Sequence, residues 1–166
     1  TTENANLKIT ADDYYKLYIN GQFVTQGPAA GYPNHYYYNE VDVSAYLQPG
    51  ENTIAVHTYY QGLINRVWVS GDQLQCLYLN LTIDGQPVLT SDETWLCTDH
   101  TCFTSLGTTG YETQFLECYN SNAPEVGFEQ PNFDDSNWQR AAVLPNPAYQ
   151  LVFQPTKQLA FETVSP

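Results

Sequence analysis

The chain has 166 residues, with 18 acidic and five basic side chains and a net charge of −13 at neutral pH. So few Lys and Arg side chains argue against nucleic acid as a partner, because those side chains supply the affinity for phosphate backbones. No apolar run approaches the roughly 20 residues that a membrane-spanning helix needs, so we expect no membrane partner either.

The strongest local signal is a hairpin near the N-terminus, preceded by a short alternating strand at residues 7–10. Leu17 and Ile19 fall on one face of a period-2 strand, whereas Tyr14, Lys16 and Tyr18 fall on the other. Asn20-Gly21 tolerates positive φ at both positions and predicts a tight turn. A second strand and a wide loop rich in Gly and Pro, residues 27–33, follow.

Three later segments also alternate: residues 36–47, 52–60 and 75–83. The last is the cleanest, because its odd positions are all apolar and its even positions are mixed. Pro49-Gly50 and Asp84-Gly85 predict turns between strands. Residues 61–72 are predicted to form a long connection.

Shorter strands are expected at residues 87–89, 94–96 and 114–117, with a polar surface loop at 98–109 and a turn at 133–138. Residues 151–161 alternate again, but Pro155 favours an edge strand or a linker. Many short alternating segments without a long helical period are typical of an antiparallel β-sandwich or jelly roll. We expect one sandwich domain at residues 1–150, and a last strand and linker at 151–166. Because the sequence begins with Thr1, we expect it to be a piece of a longer chain.

The four cysteines are Cys76, Cys97, Cys102 and Cys118. Cys97 and Cys102 could close a small disulfide loop in an exported protein, and four reduced, partly buried thiols are the alternative. The cysteines therefore suit either a cytoplasmic or an exported protein. Acidic loops supply oxygen ligands for a structural calcium, but no Asp-x-Asp-x-Asp-Gly spacing locates a site.

Nothing in the sequence specifies a self-contained enzyme. Glycoside hydrolysis needs two carboxylates facing each other across a cleft. Asp12-Asp13, Asp134-Asp135 and Glu112 are candidates by residue type alone, and the two Asp pairs lie in turn contexts that explain them without catalysis. His57 on a strand face is more consistent with a solvated or packed side chain than with a catalytic one. A nucleophile elbow, a phosphate-binding loop and a His-x-x-x-His zinc pair are absent from the sequence.

Carbohydrate binding is the chemistry that the residues favour most. Aromatic rings stack on the apolar faces of sugars, while nearby polar groups fix the hydroxyls. Two predicted loops combine these side chains, although the tyrosines could instead pack the sandwich faces or contact a neighbouring domain. The candidate ligand-binding or domain-interface residues are Tyr36, Tyr37, Tyr38, Tyr59, Tyr60, Gln61, Asn65, Arg66, Trp68 and Asp72.

Most of the chain, roughly residues 7–145, resembles the N-terminal β-sandwich domain of bacterial α-L-rhamnosidases, a galactose-binding-like fold. The resemblance lies in residues 11–21, 26–29, 36–43, 47–52, 59–68, 110–115 and 133–138. Its most specific part is Tyr-Tyr-Gln-Gly-Leu-Ile-Asn-Arg-Val-Trp at 59–68. The hairpin and the Asp-Asp-Ser-x-Trp motif also occur in sandwich domains of other glycoside hydrolases, β-galactosidases included.

The resemblance implies that the parent enzyme removes terminal α-L-rhamnose with acidic residues of a separate helical-barrel domain, and that this chain carries no catalytic residue. It implies a non-catalytic accessory module whose partner is a rhamnose-containing glycan, the catalytic domain of the same chain, or both. Some related modules bind rhamnose through calcium, but that site does not map onto positions here. The alternatives are a sandwich domain of another glycoside hydrolase, a cell-surface adhesion module and a complete small hydrolase.

Overall fold

The computed structural model describes residues 4–32, 35–62, 74–110, 114–145 and 150–165. Twelve strands lie in these ranges: β1 Ala5–Asp12, β2 Tyr14–Ile19, β3 Gln22–Gly27, β4 His35–Asp42, β5 Ile54–Tyr59, β6 Cys76–Ile83, β7 Gln86–Thr90, β8 Leu96–Cys97, β9 Phe103–Thr109, β10 Gln114–Tyr119, β11 Gln139–Arg140 and β12 Gln150–Phe153. None of the described residues forms a helix long and apolar enough to cross a membrane.

Two larger sheets build the domain. One has five strands in the order β12-β4-β1-β6-β7, and the other has three in the order β3-β2-β5. Two small sheets, β10-β9 and β11-β8, lie outside this pair. Every pairing is antiparallel except that of β12 with β4, which is parallel.

One apolar core joins the two larger sheets. The alternating positions of β1 and β2 turn the same kind of side chain inward, and Leu7, Ile9, Leu17 and Ile19 are completely buried. β4 with the residue that follows it, and β6, add the buried Val41, Val43, Leu79 and Leu81 to the same cluster. Apolar faces of two sheets enclosing one core define a β-sandwich, so the predicted fold class is confirmed.

The predicted hairpin is also confirmed. Asn20 and Gly21 adopt φ values of 52° and 78°, as a tight turn between β2 and β3 requires. The Asn20 side chain does more than permit the turn, because its Nδ2 donates to the carbonyl of Tyr46 at 3.0 Å and its Oδ1 accepts from the amide of Thr53 at 2.9 Å. The turn is thereby tied to the chain that leads into β5.

Two local predictions are wrong. Residues 98–109 were expected to be a loop, but Phe103–Thr109 forms β9 and pairs with β10. The candidate-site prediction attributed Tyr36, Tyr37, Tyr38 and Tyr59 to loops. The structure instead follows the alternating pattern of residues 36–47 and 52–60, because the first three tyrosines lie within β4 and Tyr59 ends β5. At the C-terminal end the expectation of an edge strand holds, because β12 is the outermost strand of the five-stranded sheet and Pro155 lies beyond its end.

Candidate functional site

A groove of about 710 Å³ lies against the outer face of the three-stranded sheet. Its floor consists of outward-facing side chains of β2 and β5, which alternate with the core residues of the same strands. Register places Tyr14 beside Tyr59 and Lys16 beside His57 on this face. The β9-β10 hairpin and the tail that follows β12 form its walls, with Phe103, Glu117, Gln158 and Leu159 among the lining residues.

Tyr14 and Tyr59 form an aromatic platform on the groove floor. Their ring centroids are 6.4 Å apart and the rings are inclined by 26°. Burial raises the pKa of the Tyr14 hydroxyl to about 12, with smaller contributions from Asp13 and Tyr59. Burial, Glu117 and Asp13 also raise the pKa of Tyr59. Both phenols therefore remain protonated at neutral pH and present hydrogen-bond donors beside an apolar ring face.

His57 lies deeper in the groove, against His100, Phe103 and Phe128. The centroids of the two imidazoles are 4.4 Å apart. Burial, followed by the neighbouring His100 and Lys16, lowers the pKa of His57 to about 4. The imidazole is therefore neutral at physiological pH and offers one donor and one acceptor rather than a charge.

The tail wall is held by one buried side chain, Gln154. Its Oε1 accepts hydrogen bonds from the Ala29 amide at 2.6 Å and from Asn39 Nδ2 at 2.9 Å. Its Nε2 donates to the carbonyls of Thr156 and Lys157 at 3.1 and 3.4 Å. The first two bonds connect Gln154 to the loop after β3 and to the core strand β4, and the other two lie within the tail.

The buried amide is continuous with a hydroxyl of the sandwich core. Asn39 Oδ1 accepts from the Tyr15 hydroxyl at 2.6 Å, and both side chains are buried. Tyr15, Asn39 and Gln154 thus form a polar chain that runs from β2 through β4 to the tail. We refer to these three residues as the core-to-tail network.

The sequence-predicted site residues do not come together as one surface. Tyr59 and Tyr60 line the groove. Gln61 follows them in the chain, and its backbone N–H donates to Asp13 Oδ2 at 2.6 Å. Asn65, Arg66, Trp68 and Asp72 lie outside the described residues.

The three tyrosines of β4 are not among the residues that line the groove. The Tyr36 hydroxyl donates to Asp12 Oδ2 at 3.0 Å within a buried contact. Tyr36 and Tyr37 line a much smaller cavity of about 20 Å³ beside the loop after β3. Tyr38 packs edge-to-face on Phe153 of β12, with 5.8 Å between centroids.

Sequence reasoning missed the groove residues Tyr14, Lys16 and Gln154, and it expected His57 to be solvated or packed rather than catalytic. The first two were visible only as the polar face of a strand whose other face is core. Pairing of β2 with β5, which is not local in sequence, makes that face one side of a groove. A period-2 pattern identifies such a face but does not say which distant segments enclose it.

Carboxylates of both acidic pairs accept hydrogen bonds that belong to the local structure. Asp12 and Asp13 are buried and accept hydrogen bonds from Tyr36 and Gln61. Asp134 Oδ1 accepts from the Ser136 amide at 3.1 Å, which closes the predicted turn. Among the described residues that line the groove, Glu117 is the only carboxylate.

One group of described side chains has the composition of a metal site: His100, Cys102 and Glu125. Calcium takes six to eight oxygen ligands, whereas this group offers one carboxylate beside a sulfur and a nitrogen. The group therefore does not supply the oxygen ligands that a structural calcium would need. None of the four cysteines forms a disulfide, and Cys102 is the buried one.

Fold and groove together define the class of the protein as an all-β sandwich module with an aromatic, polar-lined groove. A family model described as the α-L-rhamnosidase N-terminal domain matches residues 1–161. The chain belongs to this family, as its sequence motifs indicated.

Individual relatives agree with this assignment. The chain is 26% identical over 140 residues to an α-L-rhamnosidase of Streptomyces avermitilis, which covers 84% of this chain and 11% of that protein. The structure of a GH78 family rhamnosidase of Bacillus sp. GL1 matches 95% of this chain and 17% of that one, with a TM-score of 0.83 and 27% identity. That of an α-L-rhamnosidase from Dictyoglumus thermophilum shares the fold, with a TM-score of 0.71 and 24% identity over 92% of this chain and 17% of that one. The chain therefore spans less than a fifth of the length of these relatives.

Proposed function

We propose that the chain is a non-catalytic accessory module of an α-L-rhamnosidase that acts on rhamnosylated glycans, and that its groove binds carbohydrate. In this proposal residues 1–150 form the module, and residues 151–166 provide the last strand and the connection to a catalytic domain. The observation that carries the proposal is the groove itself, which combines the Tyr14–Tyr59 platform with neutral and charged hydrogen-bonding groups.

The chemistry of the groove suits a sugar. A pyranose ring presents apolar C–H groups on its faces and hydroxyls around its edge. The tyrosine platform can cover a face, while His57, Gln75 and Gln158 lie at positions to bond hydroxyls. A volume of about 710 Å³ is within the range of small-molecule sites and exceeds what one monosaccharide fills.

The proposal that the module is non-catalytic is supported by the number of carboxylates that line the groove. Both geometries of glycoside hydrolysis require a pair, about 5–5.5 Å apart for retention and about 6.5–9.5 Å apart for inversion. Glu117 has no carboxylate partner among the described residues lining the groove. We therefore expect the chain to release no rhamnose from an aryl rhamnoside.

Calorimetric titration of the chain with L-rhamnose and with rhamnosylated oligosaccharides tests the binding. Removing one stacking ring costs about 0.5–1.5 kcal/mol, so Tyr59→Ala should weaken affinity roughly two- to tenfold. Tyr78→Ala is the matched control, because Tyr78 lies on β6 of the other sheet and is 46% exposed. Absence of binding at millimolar sugar, or equal effects of the two variants, would contradict sugar binding in the groove.

A second function, docking onto another domain of the same enzyme, is favoured by a separate observation. Leu106 and Leu116 of the β9-β10 hairpin are 68% and 46% exposed, and Leu159 and Val164 of the tail are 60% and 79% exposed. Apolar side chains in this number suit a covered interface. In the longer enzyme that the proposal implies, Leu106→Glu should make the hairpin more sensitive to limited proteolysis, whereas Val88→Glu on β7 should not.

A further inference from the structure

A compact group of three chemically different donors lies at the base of the β9-β10 hairpin. His100, Cys102 and Glu125 each offer one ligand atom, and these atoms all lie within 4.8 Å of one another. Cys102 is completely buried and Glu125 is 7% exposed. We refer to these three residues as the His-Cys-Glu cluster.

The hairpin explains why residues far apart in sequence meet here. Cys102 immediately precedes β9, and its carbonyl accepts from the amide of Asn120, just after β10, at 2.8 Å. A series of turns then brings Glu125 back toward the start of β9. The amide and hydroxyl of Thr101 donate to Glu125 Oε2 at 3.1 and 2.6 Å. Bonds of this kind orient a carboxylate that ligates a metal.

Packing does not account for the whole cluster. Contacts with His57, Phe103 and Phe128 explain where the His100 ring lies. They leave His100 Nδ1 buried without a hydrogen-bond partner, the single such side-chain nitrogen or oxygen in the described ranges. A buried polar atom without a partner is costly and calls for an explanation, and an imidazole nitrogen is a common metal ligand.

The charges of the cluster also favour a cation. Glu125, itself 7% exposed, places a carboxylate beside the completely buried Cys102. A divalent ion would compensate the buried carboxylate and would bind the thiolate, releasing the thiol proton to solvent. The net charge of −13 adds a favourable long-range field for cations.

We propose that His100, Cys102 and Glu125 form a binding site for Zn²⁺, with a water molecule as the fourth ligand. One nitrogen, one sulfur and one carboxylate oxygen suit zinc, which binds such ligands tetrahedrally at about 2.0–2.3 Å. Ligand atoms then lie roughly 3.3–3.6 Å apart, so no pair of ligand atoms in the cluster needs to approach by more than about 1.5 Å. Neither the proposed sugar binding nor the attachment to a rhamnosidase is needed to infer this site, although His100 also lines the groove.

Cobalt substitution tests the site in the 166-residue chain. After treatment with a chelator, the reduced chain is titrated with Co²⁺, whose tetrahedral complexes absorb visible light and whose thiolate complexes add a charge-transfer band in the near ultraviolet. We expect one Co²⁺ per chain, both absorptions, and their displacement by Zn²⁺. Zinc should also raise the midpoint of thermal unfolding in a concentration-dependent manner.

Variants assign the ligands. Cys102→Ser should abolish the charge-transfer band, and His100→Ala and Glu125→Gln should each weaken affinity by at least about tenfold. Cys97→Ser and His35→Ala are the matched controls, since both residues are exposed, and they should change neither spectrum nor affinity. Circular dichroism of each metal-free variant checks its folding.

The proposal does not depend on any variant being well folded. If the wild-type chain binds neither ion below about 0.1 mM, the zinc site is refuted. It is equally refuted if the charge-transfer band survives in folded Cys102→Ser.

Discussion

Replacement of Gln154 by Ala should destabilise the domain far more than the same change at Gln158, four residues further along the tail. Gln154 is 6% exposed and makes four hydrogen bonds. Gln158 is exposed and donates one, from its Nε2 to the carbonyl of Glu40 at 2.7 Å. The two variants remove the same atoms from the same segment and differ chiefly in what is left behind.

The loss of unfolding free energy can be calculated from the groups that hydrogen-bond the Gln154 side chain. Gln154→Ala leaves Asn39 Nδ2 without its acceptor in a position where Asn39 is 2% exposed, and it leaves the Ala29 amide without one in a partly buried position. An unsatisfied buried group costs about 1–3 kcal/mol, and a partly buried one costs less. The sum is about 2–4 kcal/mol for Gln154→Ala, against about 0.5–1 kcal/mol for the exposed bond of Gln158→Ala.

Urea unfolding at neutral pH, followed by tyrosine and tryptophan fluorescence, measures both changes. Thermal unfolding provides a second measurement. At this chain length a loss of about 2–4 kcal/mol corresponds to a fall of roughly 4–16 °C in the melting temperature. Gln154→Leu, which keeps the volume but not the amide, should lose as much as Gln154→Ala if hydrogen bonds rather than packing are responsible. Equal losses for Gln154→Ala and Gln158→Ala would refute the assignment of the core-to-tail network as the anchor of the tail.

Further predictions concern backbone and pH. Gly27→Ala should lose about 2 kcal/mol or more in urea unfolding, because its Cβ would collide with the Asn39 side-chain oxygen and lie 3.2 Å from the Tyr15 hydroxyl; a neutral result would contradict the close packing. Gly21→Ala and Gly85→Ala should each lose about 1–2 kcal/mol, since both glycines have positive φ, and Gly85, with no atom within 4 Å of its Cβ, isolates the backbone cost. In alkaline solution the free energy of unfolding should fall between about pH 10 and 12, because folded Tyr14, with its pKa of about 12, keeps a proton that the unfolded chain has lost. Melting curves of Tyr14→Phe should show a smaller fall over the same pH range. A fall identical to that of the wild type would contradict the assignment.

The sequence was sufficient where one face of a strand is core. β2 and β6 were predicted correctly because burial selects apolar residues at every second position of a strand. The Asn20-Gly21 turn was predicted because both residues tolerate positive φ. β9 was not predicted, because all its residues are exposed and its content of Thr, Ser and Gly is typical of a loop. The high strand propensity of Thr was the signal that could have identified it.

The site was less predictable than the fold for a related reason. The groove floor, the hairpin wall and the tail wall come from β2 and β5, from β9 and β10, and from the end of the chain, and no local pattern relates them. The His-Cys-Glu cluster has only a partial local signature, His-x-Cys at 100–102, because Glu125 is brought in by the turns after β10. Side chains that meet through tertiary pairing are visible in a sequence only as isolated polar residues.

Each wall of the groove is a segment that needs an attachment to the domain to stay ordered. The core-to-tail network and the His-Cys-Glu cluster provide these attachments. A two-stranded hairpin is marginally stable by itself, and a chain terminus is poorly ordered unless it is tied down. The core-to-tail network fixes the tail to β4, and the His-Cys-Glu cluster lies where the β9-β10 hairpin joins the rest of the domain. His100 belongs to that cluster and also lines the groove, so zinc bound there would order the hairpin wall at its base. Sugar affinity should then fall when either anchor is removed, because each wall positions polar groups that the Tyr14–Tyr59 platform alone does not supply.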